Sequence, residues 1–75
     1  MNDISELVRK GKKYLENTQY QEALGCFEQA LLLDQKNPEL WNFKAVSLRS
    51  MGRYEEAMEC FNKSLEIDPR DKNAS

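Results

Sequence analysis

The residues of this chain whose types could carry chemistry are two cysteines and a short basic run. Cys26 and Cys60 could bind a metal ion or form a disulfide, because both kinds of bond use cysteine sulfur. They form no CxxC pair, and the chain has no histidine to complete a zinc site. We therefore expect both to be small buried hydrophobic residues in a reducing compartment, with no metal and no cofactor.

The basic run RKGKK, residues 9–13, places four cations within five residues, which is a pattern that can contact phosphate groups. The whole chain, however, has 13 acidic and 11 basic residues and a net charge of −2. Nucleic-acid binding through this run is therefore only a distant third hypothesis. The sequence also contains no glycine-rich phosphate loop and no evident pair of catalytic carboxylates, so we do not expect an enzyme.

The apolar residues are too scattered for a membrane segment. The longest apolar run, Ala30 to Leu33, is far shorter than a bilayer requires. The first residues lack the basic-then-apolar order of a signal peptide. We therefore expect a soluble cytoplasmic protein that does not bind membranes.

Four segments show the apolar spacing and the end signals of α-helices. They span about 4–17, 19–34, 38–51 and 53–67. Capping boxes are predicted for Asp3 with Glu6 and for Thr18 with Gln21. Asn37 precedes a proline, which favours the start of the third helix.

The connections between these segments are only a few residues long, so successive helices must pack antiparallel as hairpins. The third segment carries apolar residues on several faces, which is typical of a central helix contacted from more than one side. The predicted fold is all-α, with two stacked helix–turn–helix hairpins in an α-solenoid arrangement. It comprises four helices and a short disordered tail.

The two hairpins are related by an internal repeat. The stretch YQEALGCFEQALLLDQ begins at Tyr20, and YEEAMECFNKSLEIDP begins 34 residues later at Tyr54. Cys26 and Cys60 are separated by the same interval. A fixed period of this length indicates repeated helical units that stack on one another.

The repeat also carries a recurring packing pattern. In the second copy, W-x2-K-A-x2-L begins at Trp41 and A-x3-F begins at Ala57. In the first copy, L-x2-K-G-x2-Y begins at Leu7 and A-x3-F begins at Ala23, with Gln35 where a proline is usual. Over about residues 4–71 the sequence resembles the tetratricopeptide repeat family.

The resemblance implies two repeats, 4–37 and 38–71, followed by a frayed tail at 72–75. It also implies a non-catalytic scaffold whose first helices line a concave groove that binds a peptide or protein segment. The implied groove residues are Val8, Arg9, Lys12, Leu15, Asn42, Phe43, Val46 and Arg49. Their mixed basic and apolar character favours an acidic partner that also carries apolar residues.

An alternative function follows from the last predicted helix. Met58 and Leu65 would be partly uncovered at the edge where a further repeat would stack. The chain could therefore be a small self-associating unit that forms a homo-oligomer. It could equally be a fragment of a longer array whose role is oligomerisation.

Overall fold

The computed structural model describes residues 3–69, which form four α-helices and no strand. The helices are α1 (Ile4–Glu16), α2 (Tyr20–Leu33), α3 (Pro38–Ser50) and α4 (Tyr54–Ile67). The predicted all-α class is confirmed, and each predicted helix end lies within one residue of the observed end. The tail predicted at 72–75 lies outside the described residues.

The helices pack as two hairpins that stack on each other. α1 packs against α2, α3 packs against α4, and α2 packs against α3 across the junction between hairpins. The predicted stack of helical hairpins is therefore confirmed.

Two of the predicted helix caps are present. The Asp3 carboxylate accepts a hydrogen bond from the Glu6 N–H at 2.8 Å, and the Asn37 side-chain oxygen accepts one from the Glu39 N–H at 3.0 Å. In a full capping box the Glu6 carboxylate would also accept a hydrogen bond from the Asp3 N–H. Here the Glu6 carboxylate pairs with Arg9 at 2.7 Å. α1 and α3 therefore begin where their first backbone donors find side-chain acceptors.

The prediction that Thr18 caps α2 together with Gln21 was wrong. Thr18 has a backbone φ of 60°, in the left-handed region. The Gln19 N–H donates to the Tyr14 carbonyl at 2.8 Å, and the Thr18 N–H donates to the Leu15 carbonyl at 3.1 Å. This pair of bonds is a Schellman motif, so Thr18 ends α1 rather than starting α2.

Gly52 has the same role in the second hairpin. Its φ is 82°, and the Arg53 and Gly52 N–H groups donate to the Leu48 and Arg49 carbonyls at 2.9 and 3.0 Å. Glycine adopts this conformation without a steric cost, whereas a β-branched residue such as Thr18 does not.

The side chain of Phe27 lies between three helices. Phe27 is fully buried, and a Cβ atom added to Gly11 would lie 2.5 Å from two carbons of its ring. On α3, the ring of Phe43 stacks on that of Phe27 with centroids 5.0 Å apart. The absence of a side chain at Gly11 therefore allows α1 to approach α2 closely, while Phe43 ties α2 to the second hairpin.

Two apolar clusters surround this contact. One joins α1, α2 and α3, and the other joins α2, α3 and α4. Their buried members are Leu7, Ala30, Leu31 and Leu40 in the first, and Leu24, Ala45, Leu48, Ala57 and Cys60 in the second. Trp41 packs against both clusters, and the Ser64 hydroxyl donates to the Pro38 carbonyl at 3.0 Å. Residues of both repeats therefore contribute to each part of the core.

Two helical glycines provide a matched test of the close approach of α1 to α2. Gly25 lies within α2, and a Cβ atom there would meet nothing within 4 Å. We expect Gly25→Ala to raise the free energy of unfolding by about 0.5–1 kcal/mol, the usual gain of alanine over glycine in a helix. Gly11→Ala should instead lower it by about 1–3 kcal/mol, because the new methyl group overpacks against Phe27. Urea denaturation followed by circular dichroism measures both, and equal stabilisation by the two changes would contradict this packing.

The left-handed positions provide a second matched pair. Thr18→Gly should stabilise the protein by about 1 kcal/mol, because relief of the strained φ exceeds the extra entropy of glycine in the unfolded chain. Gly52→Thr should destabilise it by a similar amount, since it introduces the same strain at the equivalent turn. Thermal denaturation of the two variants tests the pair, and a Thr18→Gly protein that melts below the unmodified one would refute the explanation.

Candidate functional site

The first candidate site is a groove between α1 and the start of α3, called here the α1–α3 groove. It has a volume of about 450 Å³. Its lining residues are Ile4, Ser5, Val8, Arg9, Lys12, Asn37, Glu39 and Leu40.

Helical spacing places both apolar and basic groups on the α1 wall of this groove. Ile4 and Val8 are one turn apart and half-buried, and Arg9 and Lys12 follow on the neighbouring, exposed part of the helix. Leu40 is almost fully buried and forms part of the floor. The groove therefore combines an apolar base with a basic edge.

The two basic residues of the groove differ in their contacts. Arg9 forms an exposed ion pair with Glu6 at 2.7 Å. The Lys12 ammonium lies 5.2 Å from the centroid of the Phe43 ring, and no carboxylate among residues 3–69 forms an ion pair with it. Lys12 is therefore the groove cation that remains available to an acidic group.

Phe43 has a larger part in packing than the sequence indicated. Its ring is half-buried, stacks on Phe27 and lies beneath the Lys12 ammonium. Such a cation–π contact contributes about 0.5–1 kcal/mol at an exposed site. Phe43 thus connects the core to the groove and favours the position of Lys12 above its ring.

The remaining residues predicted for binding lie apart from the α1–α3 groove. Leu15, Asn42 and Val46 are half-buried and are not among its lining residues. The exposed Arg49 guanidinium lies 5.7 Å from the centroid of the Phe61 ring. The structure therefore brings together Val8, Arg9 and Lys12 of the predicted set in the groove, with Phe43 beneath Lys12.

Five groove residues were absent from the set predicted to bind: Ile4, Ser5, Asn37, Glu39 and Leu40. Asn37 carries the signal of a helix cap, and Leu40 carries the apolar periodicity of a core residue. The cap explains Asn37 and the core position explains Leu40, so neither signal indicates that the same residue also lines a surface groove. Only the approach of α3 to α1 reveals this second role.

A second groove lies on the outer side of the stack, along α2 and α3. It has a volume of about 630 Å³ and is lined by Gly25, Glu28, Gln29, Leu31, Leu32, Gln35, Trp41 and Lys44. Leu32 in this groove is 77% exposed. Lys44 pairs with Glu28 at 3.8 Å and lies over Trp41, and the Trp41 indole N–H donates to the Gln35 carbonyl. The two charged residues of this outer groove, Glu28 and Lys44, therefore already pair with each other.

The third surface is an apolar stripe on α4, called here the α4 stripe. It consists of Tyr54, Met58, Phe61 and Leu65, which repeat at helical spacing along one face. Tyr54 is 65% exposed, Met58 63% and Leu65 36%, while Phe61 is half-buried. The stripe includes both residues predicted to form a self-association edge.

Two tetratricopeptide repeat family models match the sequence, one over residues 5–37 and the other over residues 38–71. No curated protein matches the chain. No helix within residues 3–69 is long and apolar enough to cross a membrane.

The two cysteines lie at equivalent places in the hairpins and differ in access. Both are free thiols, with Cys60 buried and Cys26 half-buried. Burial raises the pKa of each thiol, and at Cys26 the positive charge of Lys10 partly opposes this effect. Among the described residues, no group of three or more histidine, cysteine, aspartate or glutamate side chains could hold a metal ion.

The cysteines should therefore differ in their reactivity toward iodoacetamide. Because a raised pKa reduces the thiolate fraction at neutral pH, both should react more slowly than in the unfolded chain. Cys60 should react about tenfold more slowly than Cys26, since Cys60 is only 5% exposed whereas Cys26 is half-buried. Mass spectrometry of Cys26→Ser and Cys60→Ser variants measures each rate separately. Equal rates in the folded variants would contradict the burial of Cys60.

Proposed function

Because the chain belongs to the tetratricopeptide repeat family, whose repeats are generally protein–protein interaction modules, we propose that it binds a peptide or protein segment in the α1–α3 groove. The family is typically a non-catalytic scaffold. In this proposal the chain contributes recognition and carries out no reaction. It acts in the cytoplasm, where the free thiols of Cys26 and Cys60 remain reduced.

The observation that carries the proposal is the available charge of Lys12 beside an apolar floor. Lys12 has no carboxylate partner among residues 3–69, and Ile4, Val8 and Leu40 lie in the same groove. A segment with an aspartate or glutamate next to a leucine or phenylalanine would satisfy both features. Glu39, at the other wall, would disfavour a second acidic residue placed beside α3.

We propose that four residues determine the specificity of this site: Val8, Arg9, Lys12 and Leu40. Arg9 can exchange its exposed contact with Glu6 for a carboxylate of the partner, because exposed ion pairs of this kind are weak. Phe43 supports the site from below by holding Lys12.

A titration with a short fluorescein-labelled peptide, carrying one glutamate beside two leucines, tests the proposal. We expect Lys12→Ala to weaken binding by about tenfold, equivalent to about 1.4 kcal/mol. Lys36→Ala removes an exposed lysine outside the groove and is the matched control, which should leave affinity unchanged. Fluorescence polarisation measures both affinities.

Two results would overturn the proposal. Equal weakening by Lys12→Ala and Lys36→Ala would indicate attraction by overall charge rather than binding in the groove. Stronger binding of a single-stranded oligonucleotide than of the peptide, with a steep dependence on salt, would favour a nucleic-acid role for α1 instead.

A second candidate function is self-association, and the exposure of the α4 stripe favours it. Tyr54, Met58 and Leu65 expose apolar surface side by side, which is a common feature of interaction surfaces. In a homo-oligomer a second copy would cover the stripe. In a longer array a following repeat would do so.

A further inference from the structure

We infer that copies of this chain assemble head to tail, with the outer face of α1 in one copy seated on the α4 stripe of another. The inference rests on the self-association proposed above and specifies its geometry. Two complementary surfaces of one chain carry it: an uncovered apolar stripe at one end of the stack and a basic depression at the other.

The α4 stripe has a covered equivalent within the same chain. Residues of α2 at the same repeat positions are Tyr20, Leu24, Phe27 and Leu31, each 34 residues before its counterpart. Leu24 is 4% exposed where α3 packs on α2, whereas its counterpart Met58 is 63% exposed. The α4 stripe therefore has the composition of a helix face that another helix covers.

The junction between α2 and α3 shows what such a covering helix contributes. Leu24 lies in a cluster with Leu48 and Met51 of α3, and Phe27 stacks on Phe43. Lys44 of α3 also reaches Glu28 of α2 at 3.8 Å. The covering face thus provides an apolar recess, a group that stacks on a ring, and a cation.

The outer face of α1 offers equivalents of these three features. Counted back by 34 residues, Phe43, Lys44, Leu48 and Met51 correspond to Arg9, Lys10, Tyr14 and Asn17. These four residues, together with Lys13, line a depression of about 240 Å³. In the inferred assembly Met58 of one copy enters this depression in another, as Leu24 enters the cluster on α3. Arg9 would take the place of Arg49, whose guanidinium lies 5.7 Å from the centroid of the Phe61 ring, since guanidinium groups pack well on aromatic rings.

Charge distinguishes this arrangement from a symmetric pairing of two α4 stripes. The depression on α1 carries Arg9, Lys10 and Lys13, whereas α4 carries exposed acidic residues at Glu55 and Glu59 near its stripe. Seating α1 on α4 places opposite charges together. Pairing α4 with α4 would place acidic groups of both copies side by side, which disfavours that partner.

A head-to-tail assembly that stays open leaves one free face at each of its ends. Such an interface does not close on itself unless the rotation between copies permits a ring. The assemblies should therefore grow with concentration rather than stop at a dimer. High salt should weaken them, because exposed charges contribute to the contact.

Two variants, each blocked at one face, test the inference. Met58→Glu places a charge in the centre of the α4 stripe, and Lys10→Glu combined with Lys13→Glu reverses the charge of the α1 depression. We expect the unmodified protein to exceed twice its 8.8 kDa monomer mass at millimolar concentration in sedimentation equilibrium. Each variant alone should remain a monomer. An equimolar mixture should form a species of twice the monomer mass and grow no further, since it combines one intact face of each kind.

Control variants carry the same chemical changes elsewhere. Leu32→Glu charges an exposed apolar residue on the outer groove, and Lys36→Glu reverses an exposed charge between α2 and α3. Both should assemble like the unmodified protein, and circular dichroism should show that every variant is folded. The inferred assembly would be wrong if either control variant, still folded, lost assembly as Met58→Glu does.

Two further outcomes would overturn the inference in different ways. If the α1-blocked variant dimerises alone, the pairing is α4 on α4, and self-association survives while the head-to-tail geometry fails. If the unmodified protein stays monomeric at millimolar concentration, both fail. The peptide titration of the α1–α3 groove is judged at Lys12, which does not line the α1 depression, and not at Arg9, which lines both surfaces.

Discussion

The packing of Phe27 against two helices at once is the contact on which the rest of the molecule depends. Its ring has room only because Gly11 has no side chain, and it also stacks on the ring of Phe43. Since Phe43 also lies beneath Lys12, the same contact positions the basic group of the α1–α3 groove. The packing of the core and the placement of the basic group of the groove are therefore not separable in a stack this thin, and a change at position 27 would disturb both.

The two repeats show how one packing scheme accommodates different surroundings. Glu28 pairs with Lys44 at the covered junction, while its counterpart Asn62 lies exposed and uncharged on α4. Phe43 on the covered side corresponds to Arg9 on the outer face of α1. On the uncovered face of α1, the counterparts of Phe43 and Met51 are therefore polar, namely Arg9 and Asn17. The α4 stripe departs from this trend, which is why its apolar residues are informative about association.

The sequence predicts the helices well because their signals are local. Apolar spacing, the caps at Asp3 and Asn37 and the 34-residue interval are all readable in the chain, and the helices follow them closely. Thr18 could not be placed in this way. Its hydroxyl is typical of a cap, but closure of the α1 turn requires a left-handed residue there. Likewise, the groove role of Leu40 depends on how closely α3 approaches α1, which no local pattern encodes.

The position of Trp41, the only tryptophan in the chain, has an optical consequence. Its indole packs against both apolar clusters, donates to the Gln35 carbonyl and lies beneath Lys44. Its fluorescence emission therefore originates where the hairpins meet and reports on their separation directly. It also faces the outer groove rather than the α1–α3 groove. The protein thus contains an intrinsic fluorophore that distinguishes events at the junction from events in the groove, without any added label.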